Sequence, residues 1–355
     1  MIIMEKRLPL ISLGIPVYNA AGLIERTLLS VLGQTYPNIE YLLIDDKGDS
    51  MDIVRRVLAK HPRGGAVRVI DQERNRGIGA ARNAILDHAT GEYLFTMDCD
   101  DVIVPECIEI LYGYMSEHPV DFVAGSFTRI DVDGNRYAGC RNTDTLIEGT
   151  RYPVARYRYG QGKEIFVATW NKLYSLAFLK HYGIRCKEGH FNEDPWFTYQ
   201  VIINASSCRL IPECTLYYTY NPQSVSGISA AKGYSERIAR QYVEIQKLKS
   251  AYIGSLINED FYRSLVLDIM QMSIYHAYRI GSSALLPKKL SNELQREILT
   301  LSCFMPRNMV GKRTVKYMAF CFIFALPMWC RLALIKLAVK MRVKQRIRKW
   351  VRFRS

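Results

Sequence analysis

Between residues 10 and 98 four short apolar runs alternate with segments of helical period, and this alternation restricts the possible architectures more than any other feature. LISLGIPVY (10–18), IEYLLIDD (39–46), AVRVID (66–71) and EYLFTMD (92–98) read as strands. IERTLLSVLGQ, with Ile24, Leu28, Val31 and Leu32 at helical spacing, IVRRVLAKH, and GIGAARNAILDHA, with Ala80, Ala84, Ile85 and His88, read as the helices between them. Strands separated by helices need crossovers and so lie parallel, and ligands in such sheets collect at the carboxyl ends of the strands. Each of these strands ends in polar or acidic residues.

At 355 residues the chain is long for one domain and short for three, and 49% apolar residues suffice for a core. From about 131 to 230 the pattern is irregular, and from 232 to 300 it returns to helical periods such as Ile238, Tyr242, Ile245, Leu248 and Tyr252. The nine cysteines include no CxxC pair and no Cys/His ladder, which argues against a disulfide framework and a zinc site and for a reducing compartment. The first nineteen residues lack the charged, apolar and small-residue succession of an export signal, so the main domain is expected not to be exported.

The net charge of +14 would suit a nucleic-acid binder if it were distributed over the chain. It is confined to one end. From Pro306 onward there is no Asp or Glu, and the basic residues from Arg307 to Arg354 account for the whole excess. YMAFCFIFALPMWC (317–330) is apolar but is interrupted by Arg331, short of the roughly 20 residues a spanning helix needs. Beyond it a basic residue recurs every three to five positions between apolar ones, the pattern of an amphipathic helix on an anionic leaflet. A core helix followed by a solvated basic end is the other reading; a nucleic-acid tail would have no use for the bulky apolar residues.

ISLGIPVYN, SVLGQTYPNIE, the acidic pair Asp45 and Asp46, NRGIGAARN, GEY and DCDD follow one another over about 110 residues, and WNKLY and NEDPWF follow by about 200. In this order they resemble the inverting family 2 glycosyltransferases of bacterial polysaccharide assembly. The resemblance implies an α/β GT-A-like fold, a parallel-rich sheet flanked by helices, with a C-terminal helical subdomain and a basic amphipathic tail. It implies a transferase domain over 1–230, made of a nucleotide-binding half (1–130) and an acceptor-side half (131–230), followed by a helical subdomain (231–305) and a membrane-associating tail (306–355).

Residues at alternate positions of an extended segment point to one side, so Asp98 and Asp100 can share a site in which a divalent ion removes their repulsion. By the family pattern Asp98 lies near the ribose and Asp100 takes the metal, Mn2+ or Mg2+, which bridges to the diphosphate. Asp45 closes the second strand where the family holds the base, a carboxylate there can accept the uracil imide, and Asp46 accompanies it. The family continues with a Gly-Ser-Thr-Asp-like loop, whereas this chain has Lys47, Gly48, Asp49 and Ser50, which leaves the base open. Pro16, Tyr18 and Asn19 close the first strand, where backbone groups and Tyr18 can line the nucleotide pocket; ordinary packing is the other reading of Tyr18. Gly77 and Arg82, at the start of the third helix, lie where they can meet the diphosphate; Arg82 can also pair with the Asp98 region, and the two roles are compatible. Inverting transfer needs a base opposite the leaving group, which by the family pattern is Asp194 with Glu193 beside it; an N-cap ahead of Pro195 is compatible with that role. Trp170 and Trp196 suit sugar stacking but are more often core residues, and His190 is left out of the ligand set.

The expected activity is inverting transfer of a single sugar from a nucleotide-diphosphate sugar, a UDP-sugar first, to a saccharide or lipid-linked saccharide, on the cytoplasmic face of the plasma membrane as a peripheral protein and without nucleic-acid partners. QRIRKW (345–350) is one residue too long for the Gln-x-x-Arg-Trp of processive synthases. The alternative is a non-catalytic nucleotide-sugar-binding or scaffold protein. A dinucleotide-dependent oxidoreductase is opposed by GIPVYNAAG, which stands where a Gly-x-Gly-x-x-Gly would be needed.

Overall fold

Every residue of ISLGIPV is buried in the first strand, β1 (Ile11–Val17), as expected of a strand covered on both faces. In this computed structural model the described residues are 8–131, 133–220, 224, 229, 232–300 and 314–341. β1 lies between β2 (Ile39–Asp45) and β4 (Tyr93–Thr96), and β3 (Val67–Asp71) flanks β2, all four parallel in the order β3-β2-β1-β4. The crossovers carry α1 (Ile24–Leu32), α2 (Met51–Lys60) and α3 (Ile78–His88). Gly14 in β1 admits α3 closely, since a Cβ there would meet Ile85 Cγ2 at 2.2 Å.

The stretch that reads as irregular contains the other half of the sheet. β5 (Val102–Ile103), β6 (Phe122–Ile130), β7 (Arg136–Cys140), β8 (Thr145–Glu148), β9 (Lys172–Ser175) and β10 (Ser207–Thr219) extend it in the order β4-β9-β6-β10-β5, with β7 on β6 and β8 on β10. β9, antiparallel to both β4 and β6, is four residues long and buried on both faces, and β10 is bulged against β6, so neither follows a clean two-residue period. α4 (Cys107–Glu117), α5 (Leu176–His181) and α6 (Asp194–Asn204) complete this part.

The chain packs as two units, Met1–Val154 with Val167–Asn221, and Ala155–Phe166 with Pro222–Ser355. The second unit is helical: α7 (Glu236–Tyr252), α8 (Tyr262–Gly281), α9 (Lys288–Leu299), α10 (Val315–Ala325) and α11 (Met328–Lys340). α7 forms where its period predicts, but its buried face is Ala239, Val243, Ile245, Gln246 and Lys249, rotated from the stripe through Tyr242 and Leu248. The apolar segment near the C-terminus breaks at Leu326 and Pro327, not at Arg331, because Pro327 supplies no amide to continue α10; α11 runs through Arg331.

One side chain ties together the amino ends of the central strands. Glu40 accepts from Ser12 Oγ, from Thr90 N at 2.6 Å and Oγ1 at 3.0 Å, and from Gly91 N at 3.0 Å. Burial alone would raise its pKa, but these donors outweigh burial and hold the carboxyl below its usual range. A depressed carboxylate stabilises the fold above the unfolded pKa and ceases to do so as pH falls through the folded one. Glu40→Gln should therefore cost about 1–3 kcal/mol near neutral pH, and urea titrations should show the gap between variant and parent closing as pH drops below about 4.

Candidate active site

The parallel register brings the strand ends together. Val17 of β1 lies opposite Asp45 of β2, and β4 ends beside β1 on its other side, so Pro16, Tyr18, Asn19, Asp45, Asp46 and Asp98 converge on one edge of the sheet. Asn19 is held at φ 47° and its Oδ1 accepts from Asp49 N at 3.3 Å, while Ala20 N donates to Ser50 Oγ at 2.7 Å. The loop after β1 is thus interlocked with KGDS. Gly48 permits that approach, since a Cβ would come within 2.4 Å of Asn19 N. Tyr18 is 44% exposed beside it, and Pro16 is buried in β1.

The departure from the family loop has a local structural consequence. Lys47, at φ 61°, donates its N–H to Asp45 Oδ1 at 2.9 Å and carries its ammonium to Asp71 at 2.5 Å, with Asp45 Oδ2 at 3.8 Å. The two acids that end β2 therefore differ in environment. Asp46 is buried and receives Arg76 N at 2.7 Å and Gly77 N at 2.9 Å, so it occupies the N-terminus of α3 as that helix's own anion. Burial raises the Asp46 pKa and the two backbone donors oppose it. Gly77 caps α3 at φ 85°, a conformation that favours glycine.

β4 ends at Thr96, and Asp98, Asp100 and Asp101 lie on a turn beyond it, not on an extended segment. The turn, closed by Asp101 N donating to Asp98 O at 3.4 Å, brings all three acids together, with oxygens within 4.8 Å of one another. Asp101, which sequence reasoning left out of the site, is fully buried; its Oδ1 accepts from Thr219 N at 2.8 Å and its Oδ2 is buried without a hydrogen-bond partner. Arg26 donates to Asp100 O and Thr219 Oγ1 at 3.1 and 2.5 Å, and Thr27 Oγ1 donates to Asp101 O at 2.7 Å. Burial pushes the Asp98 pKa up to about 7 despite Arg82, and raises those of Asp100 and Asp101. Clustered oxygens, surplus negative charge and one orphaned carboxylate oxygen fit a hard divalent cation, whose charge would favour the ionised forms. None of the three caps α4, where Glu106 holds the N-cap position.

Arg82 pairs with the Asp98 region, one of the two roles open to it. Only 3% exposed, its guanidinium lies 2.6 Å from Asp98 Oδ1, 3.2 Å from Glu193 Oε1 and 3.6 Å from Asp194 Oδ1. These three acids hold it protonated although burial alone would favour the neutral form. Glu193 is buried, which raises its pKa to about 8 against the pull of Arg82, whereas the Asp194 side chain is 29% exposed. Glu193, not Asp194, occupies the N-cap position of α6, neither makes a capping bond, and Pro195 follows Asp194 within the first turn.

The orientation of Asp194 comes from residues that sequence reasoning did not assign to the site. Thr169 N donates to Asp194 Oδ1 at 2.9 Å. The segment before β9 is fixed by Tyr174 OH donating to Thr169 O at 3.1 Å, Thr198 Oγ1 to Val167 O at 2.5 Å, and the buried Lys172 ammonium to Ala168 O. Burial lowers the Lys172 pKa to about 8. The string WNKLY could have flagged this role, because a lysine in an otherwise apolar strand needs a buried partner. Trp170 is core, stacked on Tyr218 at 5.4 Å; Trp196 is half-buried over Tyr199 at 6.1 Å. His190 is buried and is not among the clustered acids.

Residues 12–183 match the family described as Glycosyl transferase family 2. An uncharacterized glycosyltransferase of Haemophilus influenzae is 32% identical over 154 residues, which are 41% of this chain and 60% of that protein. Glycosyltransferase GlyG of Streptococcus pneumoniae is 34% identical over 142 residues, 39% of this chain and 46% of that protein. The chain therefore matches less than two thirds of the length of either relative. The crystal structure of S. aureus TarS 1-349 in complex with UDP-GlcNAc has the same fold, with a TM-score of 0.70 over 96% of this chain and 91% of that one at 18% identity. The ordered motifs, the strand-end acids and these likenesses agree that residues 12–183 form a family 2 glycosyltransferase domain and that the chain has the GT-A fold.

Proposed function

We propose that the chain transfers a single sugar, with inversion, from a nucleotide-diphosphate sugar to a saccharide or lipid-linked saccharide in cell-surface polysaccharide assembly. The observation that carries this reading is the shared Arg82, which holds Asp98 of the acid cluster and Asp194 at the start of α6 within one contact of the same guanidinium. A displacement at the anomeric carbon needs a base on the face opposite the departing diphosphate. Asp194 suits that task because one of its oxygens is fixed by Thr169 N while the side chain remains partly open to an acceptor hydroxyl. Glu193, buried against Arg82, sets the position of its neighbour.

Asp98 and Asp100 would hold the cation, Mn2+ or Mg2+, with Asp101 packed behind them, and the cation would offset the charge that develops on the leaving diphosphate. Asp45 would face the base from the end of β2, with Tyr18 beside it. The UDP-GlcNAc bound by the TarS structure makes that compound the first donor to test.

With UDP-GlcNAc and UDP-glucose offered against a saccharide panel, transfer should require manganese or magnesium and give the inverted anomer by NMR. Asp194→Asn should lower transfer about 10²–10⁴-fold while keeping donor affinity by calorimetry; undiminished transfer would mean that the base lies elsewhere, and donor binding without any transfer by the parent would make the chain a binder. Full activity in both the chelated protein and Asp100→Ala would overturn the metal role. Arg82 gives a separate test on the fold. Arg82→Leu leaves buried carboxyls unpaired and should cost about 3–5 kcal/mol in urea unfolding. Adding Glu193→Gln should restore part of that loss, as coupled neighbours do in a double-mutant cycle.

A further inference from the structure

Among the described residues, the largest concentration of exposed apolar side chains lies in the helical unit. α10 buries Tyr317, Phe320 and Phe324, and α11 buries Leu332 and Ile335. Their outward faces should then be polar, as on a helix of a water-soluble domain. They are not: Val315, Met318 and Phe322 are exposed at helical spacing on α10, as are Trp329 and Leu337 on α11 and Met341 just past its end, with Phe322 and Trp329 68% and 71% open. Among residues 314–341 the charged side chains are Lys316, Arg331, Lys336 and Lys340, and the sequence has no acid after Glu297.

We propose that α10 and α11 form an in-plane docking surface for an anionic phospholipid bilayer. No single described helix is long and apolar enough to cross a membrane, and these two are bent 116° apart. At 11 and 13 residues each is too short for a span of roughly 20. Their inner faces are committed to the protein core, so what remains for lipid is a shallow apolar face with Trp329 among the exposed residues, the position a tryptophan takes at the headgroup level. Lys336 and Lys340 are exposed on the same helix and would meet lipid phosphates. Charge selects lipid over a second copy of the chain, because two such faces would bring lysines against lysines with no acid to pair. Arg331 is committed inside the protein, donating to Leu326 O at 2.8 Å and Leu299 O at 2.6 Å, and anchors α11 to the core.

The full chain should sediment with vesicles of equimolar phosphatidylcholine and phosphatidylglycerol, far less with phosphatidylcholine alone, and less as salt rises. Phe322→Ser with Trp329→Ser should lower the partition coefficient at least about tenfold, with an unchanged thermal melt and unchanged UDP-GlcNAc binding. Emission from Trp329, read as the difference between the parent and Trp329→Phe, should be quenched by brominated lipids, which needs no folded double variant. Three results would each overturn the proposal: no sedimentation of the parent with anionic vesicles, undiminished sedimentation of the double variant, or conversion of a dimer to a monomer with vesicle binding intact. The second would leave the basic run beyond Met341, outside the described residues, as the whole cause.

Discussion

A buried guanidinium surrounded by carboxyls from two distant parts of the chain is the constraint on which the site depends. Arg82 projects from α3, Asp98 follows β4, and Glu193 and Asp194 open α6. Burying so many ionisable groups would be strongly unfavourable for any one of them alone, and the arrangement is tolerable only because each compensates another. The consequence is geometric. The acids after β4 cannot shift without moving Arg82, and Arg82 cannot shift without moving the start of α6, so two segments almost a hundred residues apart share one reference point.

The same logic of committed polar groups repeats outward from this centre. Asp46 takes the amides of Arg76 and Gly77 and so fixes where α3 begins. The position of α3 in turn sets that of Arg82 one and a half turns later. Asp101 takes Thr219 N and joins the acid turn to the end of β10, while Arg26 reaches from α1 to both segments. Rigid strands deliver the loops, and hydrogen bonds between loops then fix side chains that no strand could orient.

The part of this that could be read from sequence follows from how local its cause is. β1 to β4 and their helices are legible because each unit buries a short apolar run and a helical stripe near in sequence, and the parallel order follows from the crossovers. β9 and β10 are not, because burial on both faces of a four-residue strand and bulges in a long one erase the two-residue period. Asp98, Asp100 and Asp194 stand out as strings, yet the reason Asp98 and Asp100 meet is a turn, not strand alternation. Arg82 could be placed near the acids but its two roles could not be separated, since only burial shows that its guanidinium is already engaged. Thr169 and Thr219 act through backbone groups, and a backbone contact leaves no side-chain signature.

That engagement of the arginines bears on how an anionic donor could be accepted at all. Arg82 is inaccessible and balanced by three carboxyls, and Arg26 is turned toward Asp100 O and Thr219 Oγ1. Neither presents free positive charge to a diphosphate, which on approach would meet Asp98 and Asp100 and be repelled. On the proposed reading the compensating charge has to arrive with the donor, as a divalent ion that converts the repulsion between two anionic partners into a shared attraction. A chain that used arginine to hold the phosphates directly would have no need to gather three aspartates on one turn. On that reading the internal commitment of Arg82 and the surplus of acid at the end of β4 are two sides of one electrostatic arrangement, in which protein cations position the acids and would leave them to recruit a cation from solution.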